Sequence, residues 1–216
     1  MVSLELPLFP LHVVLFPGRP LPLHIFEPRY RRLLRDCLAD DHRFGVVAIR
    51  HGRAELGGAD VYNVGTVAEI VRVERLDDGR ANIVTRGAER FRITGLLHGG
   101  PYLRAQVHLL AEQPADATVA AITAALRHHL QAYLCDMGAG DKLAGRLPAN
   151  PSALAWLAAC AAELQLSEQQ QLLELDSLTA RLRTTIKLLR REHHLLRQLG
   201  QVAVLRPQSP AGAMLN

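Results

Sequence analysis

The apolar residues of the first 112 positions fall into short runs that predict β-strands. Residues 44–50 are apolar and rich in valine and isoleucine over too few positions for a helix, and they predict a buried strand. Both faces of 61–76 are partly apolar, which predicts a long bent strand. Asp77-Asp78-Gly79 predicts a hairpin turn, because aspartate and glycine tolerate a positive φ. The sheet is expected to return at 81–85 and to continue around Phe91 and through 102–110.

One apolar stripe predicts a helix over 27–41 within this β-rich part. Its members recur at helical spacing and are Tyr30, Leu33, Leu34, Cys37 and Leu38. Pro28 suits the first turn of a helix, where its missing N–H is not needed. Several short strands with one inserted helix predict a small curled barrel.

Prolines punctuate the first thirty residues, which are otherwise strongly apolar. They stand at Pro7, Pro10, Pro17, Pro20, Pro22 and Pro28. Because proline cannot continue a helix, this segment is expected to form short extended pieces joined by corners. A chain start as apolar as this one is expected to be built into the fold.

The hydrophobic period changes near 111–117, and the chain is predicted to be helical from Asp116 onward. Asn150-Pro151 predicts an N-cap followed by proline at the first helical position. Ser167 with Gln170 is interpreted as a capping box, and Asp176 or Ser177 as the cap of a last helix that runs to Leu199. Gly200 is expected to end that helix.

The last helix is predicted to pack through one apolar stripe and to expose arginines elsewhere. The stripe comprises Leu178, Leu182, Ile186, Leu189, His193 and Leu196, and the basic remainder comprises Arg181, Arg183, Lys187, Arg190, Arg191 and Arg197. We therefore expect a β-rich unit over 1–112, a helical bundle over 116–200 and a flexible tail over 201–216.

Composition is that of a soluble globular protein with a mildly basic surface. Of the 216 residues, 49% are hydrophobic and the formal net charge is +4. No apolar run reaches the roughly 20 residues that a membrane span requires, and we expect a cytoplasmic protein with no membrane partner. The three cysteines lie at helical positions among apolar neighbours and are expected to be buried free thiols: Cys37, Cys135 and Cys160.

Three separated blocks resemble the N-terminal substrate-binding domain of Lon proteases, in its stand-alone bacterial form. The first block is the proline-punctuated start, from Leu6-Pro7-Leu8 through Phe16-Pro17-Gly18 to Pro22-Leu23. The second is Val64-Gly65-Thr66-Val67-Ala68-Glu69-Ile70, and the third is Arg86-Gly87-Ala88-Glu89-Arg90-Phe91-Arg92-Ile93. The resemblance covers roughly residues 4 to 200. It implies an α+β protein in which a PUA-like β-barrel with one inserted helix is followed by a helical bundle.

No catalytic, cofactor or metal site is predicted. Gly138 to Gly145 contains glycines and Lys142, but no hydroxyl residue follows the lysine, so no phosphate-binding loop is formed. No serine lies in a nucleophile elbow. The pairs His128-His129 and His193-His194 point about 100° apart on a helix, and no zinc motif is present. We therefore expect neither ATP hydrolysis nor peptide-bond cleavage.

The segment Phe26-Glu27-Pro28-Arg29-Tyr30-Arg31 is the candidate binding site. The hypothesis is a groove with an apolar floor of Phe16, Phe26 and Tyr30, bordered by Glu27, Arg29 and Arg31, that accepts an unfolded peptide. The alternative is a structural one, in which Glu27 caps the helix and the aromatic residues pack it onto the barrel.

A second candidate is a basic strand face formed by Arg86, Arg90 and Arg92, with a merely solvated face as its alternative.

By the resemblance, the expected function is non-catalytic binding of an unfolded polypeptide or a protein partner. One alternative is RNA binding, although aromatic residues are only 5% of the chain and none is interleaved with the basic runs. Another is binding of a small molecule in a cleft between barrel and bundle. A compact homodimer through the helical half is also considered, because Leu182, Leu189 and Leu196 repeat at seven-residue spacing.

Overall fold

The computed structural model describes residues 3–52, 60–97, 99–113, 117–139 and 146–205, with the backbone alone for Ser3 and 199–205. Within these residues seven strands are present: β1 Ser3–Leu11, β2 Pro20–Ile25, β3 Arg43–His51, β4 Asp60–Val61, β5 Val64–Arg75, β6 Ala81–Leu97 and β7 Arg104–Leu110. Five helices accompany them: α1 Pro28–Ala39, α2 Val119–Asp136, α3 Pro151–Ala161, α4 Leu166–Glu174 and α5 Leu178–Leu205. All described elements after Leu110 are helices, which confirms the predicted α+β class.

The strand pairings close on themselves. Antiparallel pairs run in the order β1, β7, β6, β5 and β3, and β3 then pairs with β1 in parallel. Leu6 lies opposite Ala105 on β7, and two residues later Leu8 lies opposite Gly45 on β3. The apolar first strand therefore has a sheet partner on both sides and closes the barrel.

Strand β6 is the longest strand and joins the parts of the sheet. Its first half pairs with β2, its second half pairs with β7, and β5 runs along its other side. Register shifts near Thr66 and Ile70 bend β5, as the two-faced apolar pattern predicts. The hairpin between β5 and β6 is confirmed, and Gly79 has a φ of +80° in its turn.

Helix α1 packs against the outside of the barrel. The barrel interior contains Leu6, Leu8, Val47, Phe91 and Val107, all buried. A second cluster places the predicted helix stripe against Phe9, Phe44 and Ile83, with Tyr30, Leu33, Leu34 and Cys37 buried and Leu38 partly buried. The stripe prediction is confirmed, and α1 covers an apolar face that would otherwise be exposed.

The helices form a third cluster that also takes in residues of the barrel half. Phe16, which precedes β2, and Val64, at the start of β5, are buried with Leu126, Trp156 and Leu182. Asn150 caps α3 as predicted, since its Oδ1 accepts a hydrogen bond from the Ala153 N–H at 2.9 Å. Ser177 caps α5, where its Oγ accepts from the Ala180 N–H at 3.3 Å.

Two predicted helix boundaries are wrong. Helix α4 has Gln165, not Ser167, at its N-cap, and the Gln165 N–H donates to Glu168 Oε2 at 3.1 Å. Helix α5 continues through Gly200 to Leu205, because one glycine inside a helix costs only about 1 kcal/mol. Residues 201–205 are therefore helical, while the rest of the predicted tail, 206–216, lies outside the described residues. So do residues 114–116 of the predicted boundary at 111–117.

The cysteine prediction holds for one residue of the three. Cys37 on α1 is buried against the barrel, whereas Cys135 on α2 and Cys160 on α3 are exposed. The apolar neighbours of these two in sequence lie on the other faces of their helices, where Leu134 and Ala159 are buried.

Candidate functional site

An open pocket of about 360 Å³ lies where β1, β2, β3 and the start of α1 meet. We call it the Phe26 pocket. Its lining residues are Phe9, Pro10, Leu11, His12, Leu23, His24, Phe26, Glu27, Arg29, Tyr30 and Ile49. The lining is largely apolar, with charged groups confined to the start of the helix, as is common for ligand sites.

Phe26 is the exposed aromatic residue of this pocket. Ile25 is buried at the end of β2, so the next side chain projects outward, and 58% of Phe26 is exposed. Its ring stacks on that of His24 at a centroid distance of 5.9 Å. His24 is in turn held by a 2.7 Å hydrogen bond between its Nδ1 and Asn82 Oδ1 on β6.

Glu27 and Arg29 place an ion pair beside the aromatic residues. Glu27 occupies the N-cap position of α1, but its carboxylate makes no capping hydrogen bond. Instead Oε2 accepts from Arg29 Nε at 2.9 Å, so the capping role considered from the sequence is not formed by the side chain. The Arg29 guanidinium carbon lies 4.5 Å from the ring centroid of Tyr30, which stacks on Phe9 at 3.9 Å. The pocket thus has a packed aromatic floor and a charged edge.

The structure brings together some, but not all, of the residues that were predicted to bind peptide. It brings Phe26, Glu27, Arg29 and Tyr30 together in the pocket. Phe16 is buried against Trp156 in the helical half and does not line the pocket, which corrects that assignment. Arg31 lies one residue beyond Tyr30 on α1 and therefore lines a different groove, together with Leu34 and Arg35.

The predicted basic strand face is not an open surface at its centre. Arg86 is exposed, but Arg90 is buried with only 4% of its side chain accessible. Arg90 Nη1 donates to the carbonyls of Leu173 at 2.8 Å and Leu175 at 3.0 Å, where α4 ends. Arg90 and exposed Arg92 both approach the carboxylate of Asp176, at 3.4 and 3.7 Å. This correction turns part of the expected face into a structural contact between barrel and helices.

The surroundings of Arg90 lower the pKa of its guanidinium, which stays protonated. Burial, and after it the nearby charge of Arg181, lower the pKa of the Arg90 guanidinium, whereas Asp176 and Glu112 oppose that change.

Arg181 forms the other half of this junction and was assigned to the polar face of the last helix by sequence. It is fully buried, and its guanidinium carbon lies 4.1 Å from the ring centroid of Trp156. Its Nη2 donates to the Leu175 carbonyl at 3.0 Å, and its Nη1 pairs with Glu112. The only sequence signal was its position directly before Leu182 in the apolar stripe.

Metal and membrane features receive no structural support in the described part of the chain. No group of three His, Cys, Asp or Glu side chains there could hold a metal ion. None of the described helices combines the length and apolar character of a bilayer-spanning segment.

The model of the ATP-dependent protease La (Lon) substrate-binding domain matches residues 5–191. The chain belongs to this family. Among curated Lon relatives, a Lon protease of Anaeromyxobacter dehalogenans is 31% identical over 206 residues, and Lon protease 2 of Myxococcus xanthus is 32% identical over 204 residues. Each alignment covers 89% of this chain and 24% of the relative, so the chain spans about a quarter of the length of these Lon proteases.

Solved structures of Lon N-terminal domains share the fold. The N-terminal domain of the Mycobacterium avium complex Lon protease matches with a TM-score of 0.70 and 25% identity, over 86% of this chain and 97% of that one. A Lon N-terminal domain protein from Xanthomonas campestris matches with a TM-score of 0.64 and 26% identity, over 85% and 98% of the two chains. The Lon family match therefore includes both the barrel and most of the helical half.

Proposed function

We propose that this chain binds unfolded polypeptide segments at the Phe26 pocket and has no ATPase or peptidase activity of its own. The family supports a substrate-recognition module, since the matching model is that of a substrate-binding domain. The observation that carries the proposal is the exposed Phe26 ring at the edge of an apolar pocket. Exposed aromatic residues of this kind are frequent anchors of protein interfaces.

The pocket is suited to segments of varied sequence. Its floor is fixed by the stacked rings of Phe9 and Tyr30, and Pro10 lies in its lining. Because the floor is already rigid, it loses little conformational entropy when a peptide binds. The Glu27–Arg29 pair at the edge offers both an acceptor and donors to a peptide backbone.

Substitution of Phe26 tests the proposal, with Val71 as a matched control. Phe26→Ala is expected to weaken binding of labelled unfolded casein by about tenfold, which is the scale of a hot-spot truncation. Val71 on β5 is 59% exposed, as open as Phe26, so Val71→Ala is expected to leave binding unchanged. Fluorescence anisotropy measures both affinities. Equal affinities for the two variants would contradict the assignment of the pocket.

Tyr30 tests folding rather than binding. It is buried and stacked on Phe9, so Tyr30→Ala is expected to cost roughly 3–5 kcal/mol of stability. Any change in the casein affinity of this variant must be measured on its folded fraction.

The absence of catalysis is tested on purified protein. Because the sequence contains no phosphate-binding loop and no nucleophile elbow, we expect neither ATP hydrolysis nor casein degradation. Turnover that persists through successive purification steps would refute this part of the proposal.

The RNA-binding alternative would use the basic face of α5. Arg183, Lys187 and Arg190 are exposed there and form no ion pair with the described carboxylates. Binding of RNA that weakens steeply with salt and depends on these three residues would favour this alternative over peptide binding.

A compact homodimer stays a prediction. Leu182 and Leu189 are buried in the helical cluster and Leu196 packs against it, so the seven-residue repeat serves the interior of the helical half. Sedimentation velocity across a concentration series measures self-association directly.

A further inference from the structure

A second groove of about 360 Å³ lies on the other side of α1, between this helix and the β5–β6 hairpin. We call it the arginine groove. Four arginines border it: Arg31, Arg35, Arg75 and Arg80. Its apolar surface comes from Leu34, Leu38, Leu76 and Ala81. Arg31 and Arg35 are four residues apart on α1 and therefore lie on one face of the helix.

The charge of the groove is mostly uncompensated. Arg80 pairs with Asp78 in the hairpin turn. Arg31, Arg35 and Arg75 are exposed and form no ion pair with a carboxylate in the described ranges. Three of the four guanidinium groups therefore border a small apolar surface without an ion pair among the described residues.

The hairpin turn contacts one of these arginines. The Arg31 guanidinium lies directly against Gly79, in the space that a β-carbon at this position would occupy. Gly79 also has a positive φ of +80°, which disfavours other residues at this position. The groove is thus formed by contact between α1 and the hairpin.

We propose that the arginine groove binds an acidic peptide segment in which carboxylate side chains flank a leucine-like side chain. This inference deepens the proposed function and rests on it, because it names a chemical class of substrate segment. Guanidinium groups match the two oxygens of a carboxylate, and the leucine surface gains from burial of an aliphatic side chain. A volume of about 360 Å³ accommodates a short segment rather than a folded surface.

Two other anionic partners fit the groove less well. Single-stranded nucleic acid is usually held by aromatic side chains that stack on bases, and no aromatic residue lines the groove. An anionic membrane is an extended surface and would also meet the exposed Asp77 carboxylate in the same turn, which repels it. A short peptide carries few carboxylates and need not cover Asp77.

The test uses the full chain and a pair of labelled synthetic peptides. One peptide has glutamates around two leucines, and the other has glutamine in place of each glutamate. The variant Arg35→Gln/Arg75→Gln removes two groove charges, and Arg72→Gln/Arg146→Gln removes two exposed charges outside the groove as a control. Anisotropy is expected to show at least tenfold weaker binding of the acidic peptide to the groove variant, and no more than twofold for the control. The glutamine peptide should bind wild-type protein at least tenfold more weakly, and salt should weaken the acidic peptide.

Each other outcome would overturn the inference. Equal binding of the two peptides would exclude recognition of carboxylates. Equal losses of affinity in both double variants would mean that the peptide responds only to the net charge of the protein. If a single-stranded RNA or a vesicle rich in phosphatidylserine depends on Arg35 and Arg75 while the acidic peptide does not, the groove serves that partner instead. Thermal melts of both variants should match wild type, since the four residues are exposed.

The Phe26→Ala variant separates this inference from the proposed function. Casein binding that depends on Phe26, together with an acidic peptide that is indifferent to the groove variant, would overturn the groove alone. Groove-dependent peptide binding with casein binding indifferent to Phe26 would overturn the Phe26 pocket alone.

Discussion

At the scale of single residues, the three thiols of the chain lie in two kinds of environment. Burial, and after it the neighbouring carboxylates Asp41, Asp36 and Asp40, raise the pKa of the Cys37 thiol to about 12. Cys135 and Cys160 are exposed, but burial also raises the pKa of the Cys160 thiol, against the opposing charge of Arg19. Because only the thiolate reacts, Cys37 is protected both by its protonation and by its position.

We therefore expect iodoacetamide to label Cys135 and, more slowly, Cys160 in the native protein at pH 7.5, and Cys37 only after denaturation. Mass spectrometry of peptides identifies the labelled cysteines. Labelling of Cys37 at the rate of Cys135 in native protein would contradict the packing of α1 described above.

Gly87 on β6 is required by a close approach of two backbone segments. Its N–H donates to the Arg19 carbonyl at 2.8 Å, and its carbonyl accepts from the Gly18 N–H at 2.7 Å. A β-carbon at this position would overlap the carbonyl of Phe16. Gly87→Ala is expected to cost about 1–3 kcal/mol, because backbone atoms cannot move aside as a flexible side chain can.

Gly95 provides the control for this prediction on the same strand. No atom lies within 4 Å of the position that its β-carbon would occupy. Gly95→Ala is expected to change the free energy of unfolding by less than about 0.5 kcal/mol, measured by urea denaturation. Equal costs for the two substitutions would mean that backbone proximity does not explain the glycine at 87.

At the scale of elements, Arg90 caps a helix that belongs to the other half of the molecule. The last carbonyls of a helix lack intrahelical partners and carry the negative end of its dipole. At α4 these carbonyls receive hydrogen bonds from Arg90 on β6, and Leu175 also receives one from Arg181 on α5. The guanidinium groups thus hold barrel and helices in a fixed relation.

Arg90→Met should destabilise the protein by about 3 kcal/mol or more, because the Leu173 carbonyl loses the guanidinium donor and the Leu175 carbonyl keeps only Arg181. Arg92→Met serves as the control, since Arg92 is 46% exposed and approaches the same carboxylate, Asp176, only at 3.7 Å. Its cost is expected to stay below about 1 kcal/mol. Urea unfolding of the pair measures the difference, and similar values would refute the capping role of Arg90.

Local signals predicted elements that depend on neighbours in sequence. The stripe of α1, the turn at Gly79 and the cap at Asn150 each involve residues a few positions apart, and the structure confirms them. Arg90 bonds to residues more than eighty positions away, so an alternating strand pattern could not distinguish it from a solvated arginine. The capping box expected at Ser167 and Gln170 is wrong for the same reason, since the Gln170 amide donates to the distant Val64 carbonyl at 2.9 Å.

The candidate site was predictable only where its residues are neighbours in sequence. The residues that sequence reasoning misplaced or missed depend on contacts between distant parts of the chain. Phe26, Glu27, Arg29 and Tyr30 are adjacent in sequence and meet in one pocket. Phe16 belongs to the same apolar segment, but its stacking partner, Trp156, lies far along the chain. The sequence does not indicate the arginine groove, because α1 and the hairpin contribute its arginines separately.

At the scale of the whole molecule, barrel and helices share one apolar cluster. Phe16 stacks on Trp156 at a centroid distance of 5.3 Å with a 22° angle between the rings, and Val64 belongs to the same cluster. Arg90, Arg181 and Gln170 add hydrogen bonds at the same junction. The small-molecule alternative requires a cleft between barrel and helices. At this junction, however, the buried side chains contact one another. Each half therefore leaves apolar surface exposed if the other unfolds.

This shared cluster predicts a single unfolding transition for the chain. Trp156 is the only tryptophan and reports on the helical half, whereas far-UV circular dichroism reports on both halves. The two urea curves are expected to coincide, as two-state unfolding requires.

Phe16→Ala is expected to cost roughly 3–5 kcal/mol and to shift both curves together, because it removes a ring from the junction. Phe26→Ala, at an exposed ring, should leave both curves within about 0.5 kcal/mol of wild type. Curves that separate in wild-type protein, or a Phe16→Ala effect confined to the tryptophan signal, would mean that the halves unfold independently.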